Sequence, residues 1–354
     1  MKKKKVLIDL SSLEDLHCGL GQVSINYCKY FRDNYKRQTA DYQLYLLVPK
    51  KFFGQFGNEV KYLSSTNWLR RHCRFLFPQF DVWHAIHQLS RFKPAYNHTK
   101  LILTIHDLNY LYEKHGKRRA QGQRRMQRKV NRADEIVCIS QFACSEVERN
   151  LNLGNKRCRV ILNGVENLSQ NPVQKPKIDI CEPFFFTLGV LKAKKNFHVL
   201  LDMMKLMPDK QLYIVGKGND SYSQYLYQRI ENENITNVKM LGIVTDEEKT
   251  WLFRNCEAFL FPSLFEGFGL PVVEAMLFGK AVFSSAETSL KEIGSTHAFF
   301  WKSFEPNEMK TLIDNNLADF YKSQEKIQAE IDYANSFSYK KHLQQYEELY
   351  SKYI

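Results

Sequence analysis

The chain has 354 residues, 44% hydrophobic and 14% aromatic, which excludes a disordered protein and leaves room for two cores. No run approaches the ~18 apolar residues of a membrane span, so no transmembrane helix is expected. A formal charge of +13 implies an anionic partner: nucleic acid, a phospholipid surface or a phosphorylated substrate.

The start, Met1 and Lys2–Lys5 before Val6–Leu10, looks like the charged end of a signal peptide. Its apolar part is short and holds Asp9, so a first buried strand is the expectation. Further strands are expected near 43–48, 81–86, 100–105, 135–139 and 158–162. A second series falls near 184–188, 211–215, 237–241, 257–261 and 281–284. Strands alternating with helical stretches signal parallel sheets covered by helices, and two series imply two doubly wound domains. The polar, proline-containing segment 166–182 is the natural linker. Eight cysteines are scattered without Cys-x-x-Cys or zinc spacing, so free thiols in a reducing cytoplasm are expected.

After strand one comes Cys18-Gly19-Leu20-Gly21-Gln22, then a helix from Val23. Loops in this position face the ligand crevice of open α/β sheets. Residues 68–77 mix Arg70, Arg71, His72 and Arg74 with Trp68, Leu69, Phe75 and Phe77. His84 and His87 precede Thr104-Ile105-His106-Asp107, which closes a buried strand. Residues 114–132 carry nine basic residues and no acidic one. Such a run reads as a solvated face or, with aromatic anchors nearby, as a surface for anionic lipid. Ser140 is expected to cap a helix and Asn163-Gly164 to make a turn. A strand then ends at Gly189, and Lys192, Lys194 and Lys195 lie on the loop before a helix near Asn196. Residues 211–218 and 240–247 each read as a strand and turn.

The most specific stretch is 257–280, EAFLFPSLFEGFGLPVVEAMLFGK. Ala258–Phe261 suits a buried strand, and Gly267 and Gly269 let backbone approach a ligand. Pro271 fits the first turn of a helix. Strand, glycine loop and helix together place free N–H groups and a positive helix end where a phosphate is favoured. Glu266 and Glu274 flank the loop.

The string Pro-Ser-x-x-Glu-Gly-Phe-Gly-Leu-Pro-x-x-Glu-Ala-Met-x-x-Gly closely resembles the donor-site motif of the retaining GT-B glycosyltransferases of family 4. The resemblance covers nearly the whole chain. It implies an α/β GT-B fold, two Rossmann-like doubly wound domains facing a central cleft. Residues 1–168 would take the acceptor and 169–335 the nucleotide sugar, and a helix in 336–354 would pack back on the first domain. It implies that Glu266 and His106 reach the donor sugar and that Glu274 holds the ribose hydroxyls. Gly267, Phe268, Gly269 and Leu270 would offer backbone to the sugar and diphosphate. Lys194 and Lys195 would meet the diphosphate, with Gly19 and Gly21 facing it from the first domain. The loops at Gly216 and around Val244 would line the nucleoside pocket, where guanine and uracil stay open. Two departures stand out: Gln22 follows the second glycine where an arginine is usual, and Val190 replaces the arginine after Gly189 that many members carry. His84 and His87 would be supporting or acceptor-side residues.

The expected reaction is hexose transfer from a GDP- or UDP-hexose to a glycan hydroxyl with retention of configuration. No metal or other cofactor is implied. The expected acceptor is a glycan on a lipid diphosphate, for surface polysaccharide. The enzyme would be cytoplasmic, peripheral on the anionic inner face of the cell membrane, with no nucleic-acid partner. Rival readings are another GT-B activity, such as a sugar epimerase, and a nucleic-acid-binding protein suggested by charge alone.

Overall fold

The structure, a computed structural model, describes residues 3–16, 18–218 and 220–354; Met1 and Lys2 of the lysine run, His17, Asn219 and the side chain of Arg71 lie outside that description. The chain divides into two compact units, one running to Gly164 and taking in Tyr339–Ile354, the other Val165–Ser338.

The first unit is built on seven parallel strands: β1 (Lys4–Asp9), β2 (Tyr42–Val48), β3 (Lys61–Ser64), β4 (Val82–Ala85), β5 (Lys100–Ile105), β6 (Glu135–Cys138) and β7 (Cys158–Val160). Their order is β3-β2-β1-β4-β5-β6-β7, with Val6 opposite both Leu44 and Val82. Central strands covered on both faces read as unbroken apolar runs, and all seven residues of β2 are buried. Its helices are α1 (Gly19–Asn34), α2 (Trp68–His72), α3 (Tyr110–Glu113), α4 (Gly116–Arg132) and α5 (Gln141–Asn150). Helix α1 begins four residues ahead of the expected Val23, because Cys18 already caps it by accepting from the Gly21 N–H. Ser140 caps α5 by accepting from Ala143 N–H at 3.0 Å.

The second unit holds β8 (Phe184–Leu188), β9 (Gln211–Val215), β10 (Val238–Gly242), β11 (Ala258–Phe261), β12 (Ala281–Ser285) and β13 (Phe299–Trp301), in the order β10-β9-β8-β11-β12-β13. All are parallel, so every strand ends on the same edge. Helices α6 (His198–Lys205), α7 (Ser221–Asn232), α8 (Asp246–Asn255), α9 (Leu270–Leu277), α10 (Leu290–Gly294), α11 (Pro306–Lys322) and α12 (Gln324–Asn335) complete it. Segment 166–182, read as a linker, is partly held to this unit: Leu168 is buried and Ser169 O accepts from Arg254.

Helix α13 (Tyr339–Ser351) closes the core of the first unit against α1. Its His342 donates from Nδ1 to Leu162 O and accepts from Tyr27 Oη at Nε2, 2.9 Å away. His84 is fully buried between Tyr350 Oη at 2.6 Å and Thr104 Oγ1 at 2.9 Å. Burial holds its imidazole far below its usual pKa. His84 is therefore a satisfied core group, and of its two expected roles, supporting or acceptor-side, its burial corrects the second.

Glu330 on α12 is fully buried, and neither carboxyl oxygen has a hydrogen-bond partner. Burial raises its pKa from 4.5 to about 9. The folded state therefore binds the proton more tightly than the unfolded chain. The cost is absent below the unfolded value and grows as pH rises toward the folded one. Glu330→Gln is expected to stabilise the unit at neutral pH by roughly 2–3 kcal/mol. Denaturation across pH should show the variant losing the wild-type decline between those two values; a parallel decline in both proteins would refute the assignment.

Candidate functional site

In an open parallel sheet the ligand crevice lies beyond the strand ends, where chain order reverses. In the second unit the reversal falls between β8 and β11. The loops that follow these two strands carry Lys195 and Glu266, and the fold brings them into an ion pair, Lys195 Nζ to Glu266 Oε1. Both side chains are largely buried. Glu266 Oε1 also accepts from Ser263 Oγ at 2.7 Å, and Lys195 Nζ stands 4.9 Å from the centre of the Phe261 ring. Lys194 holds the two loops together through its main chain, its carbonyl accepting from Leu264 N–H at 2.7 Å and Ser263 Oγ at 3.2 Å. Its ammonium lies 5.9 Å over Phe265.

The loop 262–269 is fixed from behind. Thr288 Oγ1 accepts from Glu266 N–H, and Ser289 Oγ donates to the carbonyls of Glu266 and Phe268, all at 3.0 Å. The Phe268 ring is buried edge-on against Phe337, so only its main chain can serve a ligand. Gly269 takes φ 104° ahead of Leu270, the first residue of α9, and Pro271 sits in the first turn. Gly267 lies between Glu266 and the buried Phe268.

Two glycines, Gly189 and Gly216, extend the sheet past the ends of β8 and β9. Gly189 N–H donates to Val215 O at 2.9 Å, and Gly216 N–H to Gly242 O at 2.8 Å. A Cβ on Gly216, whose φ is 149°, would lie 1.8 Å from Gly189 O. Beyond Gly242, Ile243 is exposed and Val244 half-buried, ahead of the Thr245–Glu248 capping box of α8.

Glu274, on α9, pairs with Lys249 of α8 at 3.2 Å. Burial pulls the Lys249 pKa down, but Glu274, Asp246 and Glu166 more than offset it, and the net shift is upward. No local pattern in the sequence marks Lys249; only the packing of α8 beside α9 reveals it. Thr288 and Ser289 were missed for the same reason.

In the first unit Gly19 and Gly21 lie in the first turn of α1. A Cβ on Gly21 would lie 2.0 Å from Asp15 O, so that glycine admits the chain's own loop; none meets Gly19 within 4 Å. His106 donates from Nε2 to Ile86 O at 2.8 Å, which leaves Nδ1 as the acceptor, and burial lowers its pKa to about 4. Gln88 ties the strand-end loops together, accepting from His106 N–H at 3.0 Å and donating to Asp107. His87 bonds Ser12 Oγ at 2.7 Å, and Asp9 accepts from Ser90 Oγ; both are buried.

Seven of the nine basic residues in 114–132 are exposed. Lys129 and Arg132 are turned inward. Lys129 donates to Gln88 O and Ser90 O, and burial lowers its pKa to about 8; Arg132 donates to Tyr96 O and Thr99 O. Phe77, expected on the surface, is buried against Trp83. The fold also gathers Cys138, Cys144 and Cys158 so that their sulfurs lie within 4.8 Å of one another. That set could hold a soft cation, although sequence spacing gave no sign of it. Among the described residues no helix is long and apolar enough to cross a membrane.

Two parallel α/β units, each with a reversal in strand order, and a glycine loop opening a helix match the two-domain α/β fold of GT-B glycosyltransferases. Residues 170–333 match the family model "Glycosyl transferases group 1", and residues 28–167 match "Glycosyltransferase Family 4". The chain belongs to these glycosyltransferases. It is 27% identical over 208 residues to the serotype-specific mannosyltransferase WbdA of Escherichia coli, a match covering 54% of this chain and 26% of that protein. It thus spans about a quarter of the length of that relative. It is 23% identical over 328 residues to the O-antigen chain mannosyltransferase RfbU of Salmonella typhimurium, covering 88% of this chain and 90% of that one. The crystal structure of Anabaena Alr3699/HepE with UDP and glucose shares the fold, with TM-score 0.74 and 19% identity over 99% of this chain and 100% of that one.

Proposed function

We propose that the protein transfers a hexose from a GDP- or UDP-hexose to a hydroxyl of a glycan acceptor, with retention of anomeric configuration. The acceptor in this reading is a glycan carried on a lipid diphosphate, used for surface polysaccharide at the inner face of the cell membrane. The names of WbdA and RfbU support the surface glycan, and the UDP and glucose in the HepE structure support a nucleotide sugar.

The observation that carries the reading is the Lys195–Glu266 pair at the strand-order reversal, beside the glycine loop. Departure of a nucleoside diphosphate builds negative charge in the transition state, and fixed cations and N–H groups aimed there stabilise it. Lys195, with Lys194 as a second cation, is assigned to that charge, and the N-terminal end of α9 adds to it. Glu266 orients the sugar and His106, neutral, offers Nδ1 as an acceptor. No covalent nucleophile is assigned: the leaving phosphate takes the acceptor's proton on the front face. Lysines fill the role a bound metal has in other transferases, so the reading is metal-independent. The exposed cations of 114–132 supply attraction to anionic lipid.

The two glutamates separate binding from chemistry. Glu274→Ala is expected to weaken binding of free UDP or GDP about tenfold or more, since it removes charge-assisted bonds to the ribose and takes from Lys249 its nearest carboxylate. Glu266→Ala should spare nucleotide binding and abolish transfer. Calorimetry with both nucleotides and a transfer assay distinguish them; equal loss of nucleotide affinity in the two variants would contradict the division.

A further inference from the structure

The strand-order reversal of the first unit falls between β1 and β4. The chain leaving β4 passes the Gln88 loop that holds His106 and then reaches Arg91 and Lys93. There it meets the segment around α2, and the two flank an open-mouthed pocket of about 350 Å³. Arg70, Arg74, Arg91 and Lys93 line it, and no acidic residue does. Among the described residues, none of these four cations forms an ion pair with a carboxylate.

The floor is rigid. Phe77 and Phe92 are buried and meet edge to face, with centroids 5.9 Å apart. Two guanidinium groups rest on rings, Arg70 at 5.8 Å from the Phe77 centroid and Arg74 at 5.3 Å from that of Phe75. The rim is apolar and exposed: Trp68 is 68%, Leu69 55%, Phe75 61% and Leu76 49% accessible. Four large apolar groups exposed side by side, next to four cations without a carboxylate partner, are the surface that one amphiphilic anion would cover.

We propose that this pocket seats the diphosphate head of an amphiphilic acceptor, one molecule per chain, with its hydrocarbon over Trp68, Leu69, Phe75 and Leu76. The inference rests on the glycosyltransferase reading and assigns its acceptor a place. A pocket of this size suits one small head group rather than a field of them. Guanidinium groups bind phosphate oxygens through paired, directional hydrogen bonds, which a smooth basic face does not supply. Arg91 and Lys93 follow the Gln88 loop, so the head would lie on the same sheet edge as His106.

The test uses the full chain and three kinds of vesicle: phosphatidylcholine alone, with phosphatidylglycerol, and with a long-chain prenyl diphosphate at matched surface charge. Co-sedimentation should favour the diphosphate vesicles by about tenfold over phosphatidylglycerol, and free pyrophosphate should compete. Arg91→Glu with Lys93→Glu should abolish that preference while UDP or GDP binding and the unfolding curve stay as in wild type. Charge reversal at Arg118, Arg119, Arg124 and Arg125 should weaken attraction to every anionic vesicle and keep the preference. Equal binding at equal surface charge would overturn the site. So would a preference that survives Arg91→Glu with Lys93→Glu, or tighter binding of single-stranded oligonucleotides in the same pocket. A wild type that prefers diphosphate vesicles yet transfers sugar only to phosphate-free soluble glycans would instead refute the lipid-linked acceptor and leave the pocket standing.

Discussion

Lys195→Ala is expected to lower turnover of sugar transfer about a hundredfold or more, roughly 3–4 kcal/mol of transition-state stabilisation, with a smaller loss of donor affinity. The missing charge matters most as the diphosphate departs. The structure supplies a competing explanation, because removing Lys195 leaves Glu266 with Ser263 as its remaining side-chain partner in a largely buried position. Donor affinity separates the two. If the unpaired carboxylate disturbs the loop, binding of free UDP or GDP should fall as far as turnover. If Lys195 serves the leaving group, turnover should fall much further than nucleotide binding. Wild-type turnover in Lys195→Ala, or an equal loss of binding and turnover, would remove Lys195 from the chemistry.

Gly216→Ala is expected to cost about 3–5 kcal/mol of stability in the second unit. The cost has two sources: a backbone φ of 149°, which side chains rarely adopt, and a new carbon 1.8 Å from the Gly189 carbonyl oxygen. That contact cannot relax without parting the extensions of β8 and β9, and with them the loop that carries Lys195. Gly154 is the control. Its φ of 59° is also positive, but a Cβ there meets nothing within 4 Å, so Gly154→Ala should cost only about 1 kcal/mol. Guanidinium denaturation followed by tryptophan fluorescence gives both numbers. A Gly216→Ala protein as stable as Gly154→Ala would show that the edge yields more easily than its geometry indicates.

The α/β class was legible because central parallel strands announce themselves: FFFTL, QLYIV and AFLF are apolar runs bounded by glycine or proline, and each is a strand. Lys61–Ser64 and Phe299–Trp301 escaped notice for the opposite reason, being edge strands of four and three residues that are only partly buried. The strand, loop and helix around Glu266 could be read because local chemistry dictates them, down to Pro271 in the first turn. What surrounds a side chain was not legible when its partners come from remote segments. Glu274 gave no sign of Lys249, 25 residues earlier. The pattern around His84 suited a strand-end site equally well, and only Tyr350, 266 residues later, makes it a core group. The basic run 114–132 read as one uniform face, yet Lys129 and Arg132 are drawn inward by carbonyls that no helical periodicity encodes.

The way α13 completes the first unit bears on how the chain is made. A ribosome delivers residues up to Gly164 long before it delivers Tyr339–Ser351, and until then Tyr27 lacks His342 and His84 lacks Tyr350. Val165–Ser338 contains both ends of its own sheet, so it can close as soon as it emerges. The first half to be synthesised is thus the last to be finished, and it waits with an apolar seam open to solvent. A nascent chain stalled before Tyr339 should present that seam to chaperones and proteases, whereas one in which Ser351 has emerged should not.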